Sequence, residues 1–244
     1  MAVNKLERAA EVPAHYNHAD WRLRRRICRF LLKTIGFSLL AKVSQVEGLE
    51  NFPRSGPAIF MINHIAFIDP IVVLHVSPRD IVPLAKIEVY NYPFVGIFPK
   101  LWGVIPVRRE EFDRRAVQQV LQVLQAGETV LVAPEGTRDE QLSRGKEGIA
   151  YLASRSRAPV VPVAIEGTTG FPTLRFSRRW SEPGAHIRFG RPFYFRPDLK
   201  RPDREQLRTM TDEAMYILAA MLPENRRGYY SNLSEATQET IVWL

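Results

Sequence analysis

The chain has 244 residues, 45% of them hydrophobic, and a formal charge of +8, enough for one sizeable α/β core or two small domains. Its single cysteine, Cys28, excludes a disulfide framework and points to a reducing compartment. No apolar run approaches the roughly 20 residues that a membrane-spanning helix needs.

The first 20 residues are polar and lack the apolar core of a secretory leader, so the expected compartment is the cytoplasm. Residues 1–46 hold nine basic and three acidic residues. Drawn on a helical wheel, Arg25, Arg26, Arg29 and Lys33 share one side. Ile27, Cys28, Phe30, Leu31, Leu32, Ile35, Phe37 and Leu39 share the other. A basic amphipathic helix rich in Leu and Phe reads as one lying in an anionic membrane interface. The alternative is a helix packed on the protein's own core with its basic face solvated. Aromatic-interleaved motifs of single-strand nucleic-acid binders are absent, which argues against nucleic acid.

From Gly56 the pattern changes. "PAIFMIN" reads as a buried strand, and "DPIVVLHV" as a helix with Asp69 at the N-cap and Pro70 at the first helical position. "IVPLAK" and "WGVIPV" follow as strands. Residues 113–126 predict an amphipathic helix closed by Gly127. "TVLVA" is another strand, then come a helix near 146–156 and the strand "VVPVAI". "AHIRFG" reads as a short strand closing an edge, and 203–222 as a helix ended by Pro223. The tail from Asn232 is weakly amphipathic. Strand and helix alternating at this spacing predict an α/β fold: a mostly parallel sheet flanked by helices, with an N-terminal amphipathic helical extension. The expected division is residues 1–46 as a membrane-interface segment and 47–244 as the α/β domain.

Three places carry candidate chemistry. His64 follows a strand and precedes a helix start, where α/β proteins place their sites. It could act as a general base oriented by Asp69, if the turn folds one over the other. Alternatively Asp69 only caps the helix and His64 is a satisfied core residue. Glu135, Gly136, Thr137 and Arg138 cluster after the strand "TVLVA". They suit an anion such as phosphate, or form an ordinary polar loop. Arg108 and Arg109 could converge on the same anion, or be a solvated pair.

Together these segments resemble the glycerolipid acyltransferases of the lysophosphatidate acyltransferase type. Asn63-His64-x4-Asp69 resembles the family's first motif, "WGVIPVRR" the second, "APEGTR" the third and "VVPVAIEG" the fourth, in order between about Gly48 and Pro192. Ala133 stands where Phe is usual, and Asp139 where Ser is frequent. The resemblance implies that His64, supported by Asp69, removes a proton from a glycerol hydroxyl. That oxygen then attacks the thioester of acyl-carrier protein or acyl-coenzyme A. Neither cofactor nor metal is implied. Arg108, Glu135 and Arg138 would frame the acceptor phosphate, with Lys86, Asn63 and Thr137 completing the substrate-binding set. Glu135 would orient Arg138 or Lys86, and the Gly136 amide would be the oxyanion donor. The expected reaction is conversion of lysophosphatidic acid to phosphatidic acid, by a peripheral protein on the cytoplasmic face of the cell membrane. Acylation of a lyso-ornithine lipid or another lysophospholipid, and thioester or lipid hydrolysis, are the alternatives.

Overall fold

The structure is a computed structural model that describes residues 16–93, 95–108, 113–199 and 201–244. Its strands are β1 (Val43–Glu47), β2 (Ala58–Ile62), β3 (Ile81–Lys86), β4 (Ile105–Val107), β5 (Thr129–Val132), β6 (Val160–Glu166), β7 (Ala185–Phe189), β8 (Phe193–Phe195) and β9 (Ile241–Trp243). They form one sheet in the order β1-β7-β6-β2-β5-β3-β4, with β8 joining β6 to β9. The run β6, β2, β5, β3, β4 is parallel. At its centre every residue of β2 is buried, which is why "AIFMI" is continuously apolar and does not alternate.

Among the described residues, six α-helices cover the two faces: α1 (Ala19–Leu31), α2 (Asp69–Val76), α3 (Ile97–Trp102), α4 (Arg114–Gln125), α5 (Gly148–Ser156) and α6 (Arg204–Ala220). One core joins the sheet to α4, α5 and α6 through Val120, Ile149 and Met215. The other joins it to α1, α2 and α3 through Cys28, Val73 and Trp102. The expected helix starts at 113 and 203 are real. Asp113 accepts from the Ala116 amide, and Asp203 forms a reciprocal capping box with Gln206, which together satisfy amides that a helix start leaves orphaned.

One expectation is corrected, and two strands are added to the reading. "AHIRFG" does not close an edge, because β7 pairs parallel with β1 on one side and antiparallel with β6 on the other. β1 begins at Val43 and pairs with β7, so the sheet reaches back into the segment assigned to the extension. The tail contributes β9, held by Glu213, whose buried carboxylate accepts from the Thr237 hydroxyl and the Glu239 and Thr240 amides.

The N-terminal helix reverses the reading in which it packs on the core with its basic face solvated. Past α1 it continues as a wider π-helix, Leu32–Leu40. Two of its arginines, Arg25 and Arg29, turn inward, while Arg22, Arg24 and Arg26 stay exposed. Arg25 is 0% exposed, donates to the Trp102 carbonyl and the Tyr16 hydroxyl, and lies among the Trp21, Trp102 and Tyr16 rings. Arg29 binds Asp80 at 2.7 Å and the carbonyls of Ser77 and Arg79. Guanidinium groups can do this because their donors find carbonyls and a carboxylate at the sheet's edge. The apolar residues Leu23, Ile27, Phe30, Leu31, Ile35 and Leu39 are left facing outward. Among the described residues no helix is long and apolar enough to cross a membrane.

Candidate active site

Parallel neighbours deliver their following loops to the same end of the sheet. β6, β2, β5 and β3 lie side by side, so the residues after each strand must meet. Those residues are Thr168 after β6, Asn63 and His64 after β2, Glu135 after β5, and Lys86 at the end of β3.

His64 Nδ1 lies 2.9 Å from Asp69 Oδ2, and Asp69 is fully buried. Asp69 is not a helix cap. Its Oδ2 also accepts from the amides of Ile65 at 2.7 Å and Ala66 at 2.8 Å, upstream of α2, and no cap bond forms downstream. Oδ1 accepts from the Thr168 hydroxyl. The carboxylate thus ties the turn 64–66 into a loop over itself. That brings together two residues which a regular helix would hold on different sides. In the tautomer that donates Nδ1–H to this carboxylate, Nε2 is the free acceptor of a ring that lines a cavity.

Glu135 is buried between the two loops. Oε1 accepts from the His64 amide at 3.3 Å, and Oε2 from the Ser143 amide at 2.8 Å and hydroxyl at 3.2 Å. Burial outweighs these donors and pushes its carboxyl up to about 7. It orients neither Arg138 nor Lys86, contrary to expectation. Its bonds fix the backbone of His64.

Two further expectations fail on geometry. The Asn63 side chain exchanges two hydrogen bonds with the Ile165 backbone, at 2.9 and 2.8 Å, so it clamps β2 to β6, and it does not line the cavity beside His64. The Gly136 amide donates to the Ala133 carbonyl at 3.0 Å and closes its turn, so it is not an oxyanion donor. The glycine is required there by its φ of 69°.

The cavity beside His64 has a volume of about 410 Å³. Its walls are apolar, from Phe37, Leu40, Ile71, Leu84, Tyr92 and Val104, and its two cations are Lys86 and Arg138. Lys86 has Glu88 3.3 Å away, and Arg138 lies over the Phe67 ring. Thr137 is exposed beside Arg138. Arg108 does not join them. It lines a second cavity of about 550 Å³ on the opposite face of the sheet, with Gly136, Lys146 and Arg204. The two cavities share only Leu84 and Ala85. Arg109 lies outside the described residues. Sequence reading missed Thr168 and Ser143, both hydroxyl residues in loops. Thr168 alone had a signal, since it directly follows "VVPVAIEG".

The model of the protein family described as Acyltransferase matches residues 43–166. A 1-acyl-sn-glycerol-3-phosphate acyltransferase of Borreliella burgdorferi is 33% identical over 134 residues, covering 52% of this chain and 52% of that protein. This chain therefore spans about half the length of that relative. The enzyme of the same name from Bacillus subtilis is 27% identical over 188 residues, covering 77% of this chain and 91% of that one. In fold, the chain is similar to the crystal structure of the 1-acyl-sn-glycerophosphate (LPA) acyltransferase from Thermotoga maritima. The TM-score is 0.60 and the identity 22%, over 96% of this chain and 88% of that one.

Proposed function

We propose, because this chain belongs to the acyltransferase family, that it moves a fatty acyl chain from a thioester donor to the free hydroxyl of lysophosphatidic acid, giving phosphatidic acid at a membrane surface. One observation carries the reading: a buried His64–Asp69 pair opens on an apolar cavity that holds two cations. The apolar wall suits an acyl chain, and Lys86 with Arg138 suits the phosphate beside the reacting hydroxyl.

In the reaction, Nε2 takes the hydroxyl proton as the oxygen attacks the thioester carbonyl. The Asp69 carboxylate stabilises the imidazolium that forms. Collapse of the tetrahedral intermediate breaks the carbon–sulfur bond, and the imidazolium returns its proton to the leaving thiolate. The donor is acyl-carrier protein or acyl-coenzyme A. No protein nucleophile is used, and Cys28 sits buried in α1.

The outward apolar face of α1 and its π-helical continuation supports a peripheral seat on the cytoplasmic face of the cell membrane. Both substrates partition into bilayers, so a seat at the interface meets them without extraction into water. The test crosses defined acyl donors with a panel of lysolipids, lyso-ornithine lipid included. Acyl transfer that depends on lysophosphatidic acid supports the reading. Fatty acid released equally with and without an acceptor would make the chain a hydrolase.

A further inference from the structure

Between β6 and β7 the chain makes an excursion over residues 167–184. Its tip carries Leu174 and Phe176, the latter 95% exposed, with Arg175 and Arg178 exposed beside them. The loop beneath is built to hold that tip in place. Arg179 donates to the carbonyls of Thr169, Pro183 and Gly167, and its guanidinium lies 4.3 Å from the centre of the Phe171 ring. Trp180 packs edge-on against Phe171 and donates to the Thr173 carbonyl. Lys42 donates to the Trp180 carbonyl, and the Ser177 amide closes a turn on Leu174.

The loop is also joined to the N-terminal helix. The Thr173 amide donates to the Leu40 carbonyl at 2.8 Å, where the π-helix ends. Leu40 and Pro172 both line the cavity of His64. The tip and the exposed residues Ile35, Leu39 and Leu40 therefore flank one cavity. Fixing a phenylalanine in water gives the isolated chain nothing, since apolar area left exposed forgoes its transfer energy. Leucine and phenylalanine flanked by arginines fit an anionic bilayer, with the rings among the acyl chains and the guanidinium groups at the phosphates.

We propose that the tip Leu174–Arg178 is a second membrane-insertion element, which acts with the exposed face of the N-terminal helix to seat the mouth of the His64 cavity on an anionic lipid surface. The choice of a lipid surface rests on the interfacial acyltransferase reading, and the test reads membrane contact separately from turnover.

The probe is the full chain with Phe176→Cys carrying an environment-sensitive fluorophore. The single native cysteine, Cys28, is buried, so labelling falls on the tip. Vesicles of mixed phosphatidylglycerol and phosphatidylcholine should shift its emission to the blue and bring it within reach of a lipid-borne quencher. In parallel, the unlabelled double variant Leu174→Ser, Phe176→Ser should partition to those vesicles about tenfold more weakly or worse. Its turnover of short-chain, water-soluble substrates should be unchanged. Emission unmoved by vesicles, together with wild-type partitioning of the double variant, would overturn the proposal. So would a shift produced without vesicles by acyl-carrier protein or by raising protein concentration, since the tip would then dock a protein. Insertion of the probe with no acyl transfer on any substrate would remove the reaction assignment and leave the insertion element standing.

Discussion

The strand-end cluster and the apolar rim of the same cavity invert the usual distribution of side chains in opposite ways. At the cluster, burial falls on polar groups: Asn63, His64, Asp69, Glu135 and Thr168 are all buried. At the rim, exposure falls on apolar groups: Leu23, Ile27, Phe30, Ile35, Leu174 and Phe176. Neither arrangement is what a fold needs for itself, because buried polar groups cost free energy unless partnered, and apolar groups gain by leaving water. The cluster meets its cost through hydrogen bonds, whereas the rim residues stay exposed. In the proposed function, chemistry is concentrated where partners are fixed, and address where apolar groups are left exposed. Each variant below breaks one side of that contrast.

The largest effect is expected for Asp69→Asn. The amide cannot stabilise an imidazolium, so kcat should fall about 10²–10⁴-fold, the range general-base catalysis contributes. Binding to anionic vesicles should remain, because the rim is untouched. Steady-state kinetics and vesicle co-sedimentation on one preparation check both halves. Deleting residues 1–46 should do the reverse only in part, since it removes β1 from the sheet as well as the rim helix. Point changes such as Phe30→Ser with Ile27→Ser are the cleaner break, and should weaken vesicle binding while preserving turnover of soluble substrates.

Arg138→Ala should raise the apparent KM for lysophosphatidic acid about tenfold or more, the loss of one charge-assisted contact of roughly 1.5–3 kcal/mol. Arg108→Ala should raise it less, because Arg108 lines the other cavity. Equal effects on phosphorylated and uncharged acceptors would mean that Arg138 supports the fold.

Thr168→Val removes a hydroxyl that positions Asp69. Since Thr168 acts through Asp69, a smaller fall is expected, about tenfold in kcat, with a displaced pH–rate profile and recovery in Thr168→Ser. An unmoved pH profile would assign Thr168 to packing alone.

The smallest effect on turnover is expected for Glu135→Gln, which keeps one acceptor oxygen for the bridge and turns its amide nitrogen toward the other backbone donor. Its signature is in stability. Burial raises the Glu135 carboxyl from 4.5 to about 7, so the folded chain keeps a proton that the unfolded chain releases. The stabilisation is full below about 4.5 and is lost as pH rises toward 7, by about 3 kcal/mol. Thermal melts of wild type should therefore fall across that window relative to Glu135→Gln, and parallel curves would refute the shift.

The sheet was legible because its buried strands are continuous apolar runs, and its long helices carry caps and periodicity. β1 and β9 were not legible. "VSQVE" is mostly exposed, and "IVW" is ordered by the distant Glu213 through Thr237, Glu239 and Thr240. In the site, His64 and Asp69 were legible from type and place. Their contact depends on upstream amides that no spacing rule displays, and Thr168 arrives from 99 residues further on. The inward turn of Arg25 and Arg29 was hidden for the same reason. A helical wheel separates faces, but only the partners Trp102 and Asp80 decide which face turns in.

The most direct measurement follows phosphatidic acid and free fatty acid separately, with wild type and His64→Ala on vesicles carrying lysophosphatidic acid and a thioester donor. The account predicts phosphatidic acid from wild type, free fatty acid at background, and at least about a hundredfold loss in the variant with vesicle binding retained. Phosphatidic acid formed by His64→Ala within a factor of about two of wild type, far short of the loss a general base implies, would contradict it. So would fatty acid as the main product whether or not the acceptor is present.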